Sequence, residues 1–384
     1  MKVLLDGTAI ANQPTGVGVY SLKLVSNMCE IDSSTQFTLI IPAVLKKSHA
    51  IFKMDYPNLE FIRTKIPPIG IKRDCMFNFN KIPNLEESVY HCLSTNYPMT
   101  LYSIQKGIVT IHDLKFILHP TFLGRWGRIK SSYLKEIVKY AVKNAKHIIC
   151  VSESTRNDLI NFIKDDSQLI VKKISVIHEA SSLEDVTVST KDTLAFYNII
   201  KPYFLYVGEW RPHKNIEGLL KAFYEFSSLD VHNEDYSLVI VGPKHKSIYQ
   251  EKSLNIPRKF RNRIKIIDYL SDSELKYLYT ETFALILISF YEGFGLPVVE
   301  AMQEGKPVIV SNCSSLPELV GNEKWTVSPY IFSETAELMN ALVTRNDLYQ
   351  EAIKNSFERR KLFSWKFTAK RTLDIYKNIA TSIN

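Results

Sequence analysis

The sequence predicts an α/β protein of two Rossmann-like, doubly wound domains, each a parallel sheet with helices on both faces. Three observations carry that expectation. Short apolar runs bounded by turn residues recur along the chain, longer segments with helical spacing lie between them, and the alternation lapses once, between about Ala180 and Pro202, in the polar stretch SSLEDVTVSTKD. Runs that are apolar throughout, rather than at every second residue, belong to sheets buried on both faces. At 384 residues the chain also exceeds one ordinary core.

In the first half the strand candidates are KVLLD, FTLII, SVYHCLS, GIVTIHD, HIICVS and ISVIH; in the second they are FLYVGE, YSLVIVG, RIKIIDY, FALILIS and KPVIVSN. Gly16 and Gly18, in PTGVGVY, open the first helix after KVLLD. Ser152 is placed to cap the helix that begins STRNDLINFI. Ser271 and Glu274 have capping-box spacing ahead of LKYLY. FALILIS ends at Ser289, and the next helix is expected near Leu296 or Pro297, because proline suits a first helical turn. The polar lapse is read as a linker, which gives an N-terminal domain over residues 1–185 and a C-terminal domain over 200–365. Two such domains facing each other leave a central cleft at the carboxyl ends of their strands, where α/β folds bind ligands.

Composition bounds the function classes. With 45% hydrophobic and 23% charged residues the chain is globular rather than disordered. Cys29, Cys75, Cys92, Cys150 and Cys313 are odd in number and scattered, so a reduced, cytoplasmic setting is expected. The N-terminus lacks the pattern of a signal peptide, and no run approaches a bilayer-spanning length. The net charge of +8 is uneven: residues 1–190 hold 23 basic and 17 acidic side chains, against 25 and 23 in the remainder. A basic first half suits an anionic partner, whether membrane surface, nucleic acid or phosphorylated substrate, although a solvated surface accounts for it equally.

The chemistry concentrates at strand ends. In SFYEGFGLPVVEAM, Glu292 and Glu300 stand with seven residues between them across a glycine turn into a helix. Amides in such a turn and at a helix start attract a phosphate. Carboxylates on either side of that anion site would accept hydrogen bonds from hydroxyls, as a nucleoside diphosphate sugar presents on its sugar and its ribose. In GEWRPHKN, Arg211 and Lys214 follow strand FLYVG and would neutralise a departing diphosphate. His112 and Asp113 end GIVTI; the histidine could bond a ligand and the aspartate could simply cap the next segment. Gly16 and Gly18 do not complete a dinucleotide fingerprint, and a tight turn explains them as well. FLGRWGRIKSSYLKEIVKYAVKNAK sets Arg125, Arg128, Lys130, Lys135, Lys139 and Lys143 beside Trp126, Tyr133 and Tyr140, a pattern for a lipid headgroup region or for a solvated face. No metal-ligand spacing, Asp-x-Asp triplet or nucleophile elbow occurs.

The phrase EGFGLPVVEAMQEGKPVIVSN resembles the glutamate-seven-glutamate motif of the large retaining glycosyltransferase family 4, and the resemblance extends through TGVGVYSLKL, VTIHDLKFILHPTF, ICVSESTRNDL and LYVGEWRPHKNIEGLLKAF to FSWKFTAKRTLDIYKNI. It is nearest the bacterial mannosyltransferase branch that builds surface polysaccharides such as O-antigen. The resemblance implies the GT-B fold, with the C-terminal helix, residues 366–384, crossing back to the first domain. It implies that His112 contacts the donor sugar and that Glu292 holds its hydroxyls. The turn Gly293, Phe294, Gly295, Leu296 and Val298 would bind sugar and pyrophosphate through amides, Glu300 would hold the ribose, and Gly16 and Gly18 would lie over the diphosphate. Relatives place arginines where this chain has Glu209 and His213, which leaves Arg211 as the substitute. The expected activity is retaining hexosyl transfer, mannose from GDP-mannose, to a hydroxyl of a growing lipid-linked glycan, with no metal, no other cofactor and no nucleic-acid partner. UDP-sugar donors, a sugar-nucleotide epimerase on the same fold, and a non-catalytic basic binding protein stay open as alternatives. The base pocket is expected near Tyr269 and Leu270.

Overall fold

KVLLD becomes a strand because every residue after Lys2 is enclosed by neighbours, and VYHC, GIVTI and SLVIV are enclosed throughout. The computed structural model describes residues 1–13, 15–74, 85, 87–99, 106–164, 168–243 and 256–381. They form two units, Met1–Glu179 with Ser364–Asn384, and Ala180–Phe363.

In the first unit the strands are β1 (Lys2–Asp6), β2 (Gln36–Pro42), β3 (Leu59–Thr64), β4 (Val89–Cys92), β5 (Gly107–Ile111), β6 (His147–Cys150) and β7 (Ile174–Val176). They pair in the order β3-β2-β1-β4-β5-β6-β7, each pair parallel. The second unit holds β8 (Tyr203–Val207), β9 (Ser237–Val241), β10 (Ile264–Ile267), β11 (Ala284–Leu287), β12 (Val308–Ser311) and β13 (Thr326–Val327), in the order β10-β9-β8-β11-β12-β13, again all parallel. Both sheets reverse direction of winding at one point, between β1 and β4 and between β8 and β11. Doubly wound sheets bind ligands beyond the carboxyl ends of the strands at that switch.

Two strands escape the apolar-run reading, and both lie at edges. β3 is half exposed and its residues read LEFIRT, with charges interrupting the run. β13 is only two residues long. The helix punctuation appears as expected: Ser152 Oγ accepts from the Thr155 amide, Ser271 and Glu274 form a reciprocal capping box, and the helix after the glutamate turn spans Leu296–Gln303.

The division of units falls at Glu179, so the polar stretch after it packs with the second unit. There Asp192 caps a short helix, Thr193–Phe196, and the Ser189 amide donates to the Ser273 carbonyl, 3.2 Å. The closing helix, Trp365–Thr381, belongs to the first unit. Its attachment is a buried polar string: Tyr376 OH shares a hydrogen bond with His91 Nδ1 (2.5 Å), His91 Nε2 with Thr110 Oγ1 (2.8 Å), and that oxygen with Tyr20 OH (3.0 Å). Burial pushes the His91 imidazole down to about 3, so it stays neutral and links a donor on one side to an acceptor on the other. Thr368 Oγ1 donates to the His178 carbonyl at 2.7 Å, which fixes the start of the helix. No described helix is long and apolar enough to cross a membrane. Cys29, Cys92, Cys150 and Cys313 are free thiols, and Cys75 lies outside the described residues.

Candidate active site

The site of the second unit is assembled from the loops that leave β8 and β11, the adjacent strands at its switch point. After β8 the chain passes Arg211 and enters the turn Pro212–Lys214, then Asn215 takes a left-handed conformation (φ 55°) before the helix Ile216–Leu229. The Asn215 side chain donates to the carbonyls of Ile288 (3.0 Å) and Pro329 (2.8 Å), and the Phe290 amide donates to the His213 carbonyl (2.8 Å). These bonds pin the β8 loop to the end of β11. Lys214 is thereby aimed at Glu292: Nζ donates to Oε1 at 2.7 Å and to Oε2 at 2.8 Å, with both side chains largely covered.

Serines fix the other side of the glutamate. Ser289 Oγ donates to Glu292 Oε1 (2.7 Å), Ser314 Oγ accepts from the Glu292 amide (2.8 Å), and Ser315 Oγ donates to the carbonyls of Glu292 and Phe294 (3.0 and 2.6 Å). Gly295 has φ 115°, and a Cβ there would meet Leu316 at 2.8 Å, so the turn requires glycine. Within the turn the Val298 amide is spent on the Gly295 carbonyl (2.9 Å), Phe294 is buried with its ring against Phe363, and Leu296 starts the helix.

Glu300 lies one turn further on, 6% exposed. Ser182 Oγ donates to its Oε1 (2.5 Å) and Tyr279 OH to its Oε2 (2.9 Å). Burial raises the Glu300 carboxyl above the ordinary range, and the two hydroxyls only partly offset it. A carboxyl raised in the folded state favours folding fully below its unfolded value, about 4.3, and that advantage disappears as the pH rises through the folded value. Glu300→Gln is therefore expected to raise Tm at neutral pH, on the order of 2–4 °C for each kcal/mol recovered, with the gap closing in acid. Calorimetric melts of both proteins at pH 4 and pH 7.5 check the effect.

Arg211 is tied to Glu209 at 2.9 Å on the surface of the same loop. The residue that departs from the family pattern thus neutralises its proposed substitute. Tyr269 is exposed and Leu270 buried just beyond β10.

In the first unit, Gly16 and Gly18 begin the helix Gly16–Ile31. Thr15 Oγ1 caps it by accepting from the Gly18 amide (3.1 Å), while a Cβ on Gly16 would meet nothing within 4 Å. His112 follows β5 and is buried. Its Nε2 donates to the Leu93 carbonyl (2.9 Å) and its Nδ1 to Glu179 Oε1 (3.2 Å). Burial alone would lower the imidazole, but the Glu179 carboxylate, by hydrogen bond and by charge, raises it above its ordinary value. Both ring nitrogens are engaged by the protein. Asp113 accepts from the Lys115 amide (3.1 Å) and pairs with its ammonium (2.9 Å), the capping role.

Glu179→Gln should lower the His112 value, seen by NMR titration of the ring. A raised histidine contributes stability that is complete below about 6.5 and lost as the pH rises through the folded value. The variant should be about 2 kcal/mol less stable at pH 5.5, with the difference shrinking in alkali. A difference that grew with pH would refute the pairing.

Sequence reasoning did not single out Asn215, Ser182, Tyr279, Ser289, Ser314, Ser315 or Glu179. Asn215 directly after Lys214 and the serines of SNCSS carried a faint signal as strand-end polar residues. Among the described residues no group of three His, Cys, Asp or Glu is set to hold a metal.

Two α/β units, each with one parallel, doubly wound sheet, are the fold of the GT-B glycosyltransferases. Over 99% of both chains the structure superposes on sucrose-phosphate synthase from Thermosynechococcus elongatus with a TM-score of 0.73 at 18% identity, which shows a shared fold. The chain is 28% identical to O-antigen chain mannosyltransferase B of Escherichia coli, covering 98% of this chain and 100% of that one. It is 28% identical to O-antigen chain mannosyltransferase RfbU of Salmonella typhimurium over 85% of this chain and 87% of that one. Residues 197–359 match the family described as glycosyl transferases group 1. The match lies within the second unit, and together with these relatives it makes the chain a glycosyltransferase.

Proposed function

We propose that this chain is a retaining mannosyltransferase of glycosyltransferase family 4. It takes mannose from GDP-mannose and places it on a hydroxyl of a growing, lipid-linked O-antigen-type glycan at the cytoplasmic side of the membrane, without a metal. The relatives named as O-antigen mannosyltransferases support the sugar and the product class. The observation that carries the chemistry is the Lys214–Glu292 pair at the β8–β11 switch point.

A diphosphate leaving group gains negative charge as the glycosidic bond breaks, and a fixed ammonium at that position stabilises it with little reorganisation. Glu292, held by Lys214 and Ser289, offers carboxylate oxygens to the sugar hydroxyls. Glu300 offers an acceptor to the ribose, with Tyr279 and Ser182 orienting it. The acceptor oxygen attacks the anomeric carbon on the face that the diphosphate is leaving. The C–O bond to phosphate breaks with its electron pair going to the phosphate oxygen, which takes the acceptor's proton. His112, held at both nitrogens by the Leu93 carbonyl and Glu179, is an anchored group at the end of β5 rather than a free proton acceptor.

The test is a donor panel. Purified protein in EDTA is incubated with GDP-, UDP- and dTDP-sugars, and thermal shift and sugar release are followed, with product anomer assigned by NMR. Stabilisation and release by GDP-mannose, with an α-linked product, is the expected result. A requirement for a divalent ion, an inverted product or a response confined to a UDP-sugar would overturn the corresponding part of the reading.

A further inference from the structure

In the first unit the helix Gly127–Asn144 satisfies its packing with one face, burying Ser131, Ile137, Val138, Ala141 and Val142. At its start it nevertheless leaves two large apolar side chains in water: Trp126 is 62% exposed and Ile129 is 66% exposed. Tyr133 follows Ile129 by four residues, one turn along the same face. Its hydroxyl accepts from the Gly70 amide at 3.1 Å, which brings the loop after β3 against the helix and forms a groove lined by Pro67, Ile69, Gly70, Lys72 and Tyr133. Ile69 is itself exposed, and Tyr133 belongs both to the groove and to the helix face that carries Ile129.

Cations surround this surface. Arg128, Lys130 and Lys72 are exposed, and no carboxylate pairs with them among the described residues. Further along, Lys139 is held by Glu136 at 2.9 Å. Between residues 126 and 143 the chain has five cations and one carboxylate. The side chain of Arg125 lies outside the described residues.

We infer that the start of the Gly127–Asn144 helix, with Trp126, Ile129 and the Ile69 loop, is a docking surface for an anionic membrane. A tryptophan beside short aliphatic anchors suits the boundary between headgroups and acyl chains, where the indole ring meets both an apolar and a wet environment. The unpaired cations match the negative potential of an anionic leaflet. A protein partner would fit the apolar groove, but the concentration of uncompensated positive charge around so small an apolar surface selects a lipid headgroup layer. This inference does not depend on which sugar is transferred.

The protein supplies its own probe. Of its four tryptophans, Trp210, Trp325 and Trp365 are buried, so a blue shift of the fluorescence on binding reports Trp126. The full chain is titrated with vesicles of phosphatidylcholine alone and of phosphatidylcholine mixed with phosphatidylglycerol. The expected result is co-sedimentation and a blue shift with the mixed vesicles only. Arg128→Ala with Lys130→Ala should weaken partitioning about 30-fold, and Trp126→Ser with Ile129→Ser should abolish the binding.

All variants should keep the wild-type Tm and thermal response to the sugar donor, which reads the folding and the donor site separately. Equal binding to neutral vesicles, no binding to anionic ones, sedimentation without a blue shift, or binding unchanged in both double variants would each overturn the proposal.

Discussion

Replacing Lys214 by methionine is expected to lower kcat/KM for donor turnover by about 10²–10³-fold, the scale seen when one preorganised stabiliser of developing charge is removed. The same change strands the Glu292 carboxylate, 8% exposed, with Ser289 as its remaining side-chain partner. Leaving one member of a covered ion pair without its counter-charge approaches about 3 kcal/mol of destabilisation. Stability and chemistry are then confounded, and a second substitution separates them. Adding Glu292→Gln removes the stranded charge, so urea denaturation should show stability largely recovered. Donor turnover should stay low, because neither the cation for the diphosphate nor the carboxylate for the sugar is restored. Because the two residues act as one unit, the turnover losses of the single variants should not add. Additive losses, or full turnover in Lys214→Met, would remove the pair from the chemistry.

Asp6→Asn should produce the largest stability effect in the first unit, a loss of about 3–5 kcal/mol. Asp6 ends β1 and is 1% exposed. It binds the Arg73 guanidinium directly, accepts from Tyr90 OH at 2.6 Å, and accepts from the Thr8 amide and hydroxyl at 3.0 and 2.7 Å. Arg73 is fully enclosed and also donates to Thr8 Oγ1 and the Asn96 carbonyl. Asparagine keeps an acceptor but no charge, which leaves the guanidinium out of water without its Asp6 counter-charge.

The pH dependence follows from the Asp6 carboxyl. Burial would raise it, yet the Arg73 charge and the hydroxyl donors hold it below the ordinary value. Its contribution is therefore complete above about 3.9 and is lost as the pH falls through the depressed value. The wild-type advantage over Asp6→Asn should persist at pH 5 and fade only in strong acid. Denaturation has to be followed with a probe in the first unit, because a two-unit chain need not unfold in one step.

The strands of both sheets were legible because a strand buried on both faces must be apolar throughout, and FALILI or YSLVIV can be little else. β3 was not legible because Glu60 and Arg63 interrupt its apolar run, and β13 because two residues make no run. Caps were legible where one side chain meets an amide three residues away, as at Ser152 and Ser271. In the site, sequence pattern and the family resemblance singled out Glu292, Glu300, Lys214 and His112 as residues to examine. They did not reveal that His112 is held at both nitrogens by Leu93 and Glu179, or that Arg211 turns to Glu209.

Spacing over a few residues is enough to specify two parallel α/β units, their capped helices and the glycine turn before Leu296. Which charges meet is settled only by packing. Lys214 and Glu292 are 78 residues apart, Ser182 and Glu300 are 118 apart, and His91 and Tyr376 are 285 apart. Each pair depends on strands placed side by side in the sheet or on a helix returning to it. Local propensity acts over one or two turns of chain, whereas the partner of a buried charge is chosen by whichever group the packed core leaves within reach.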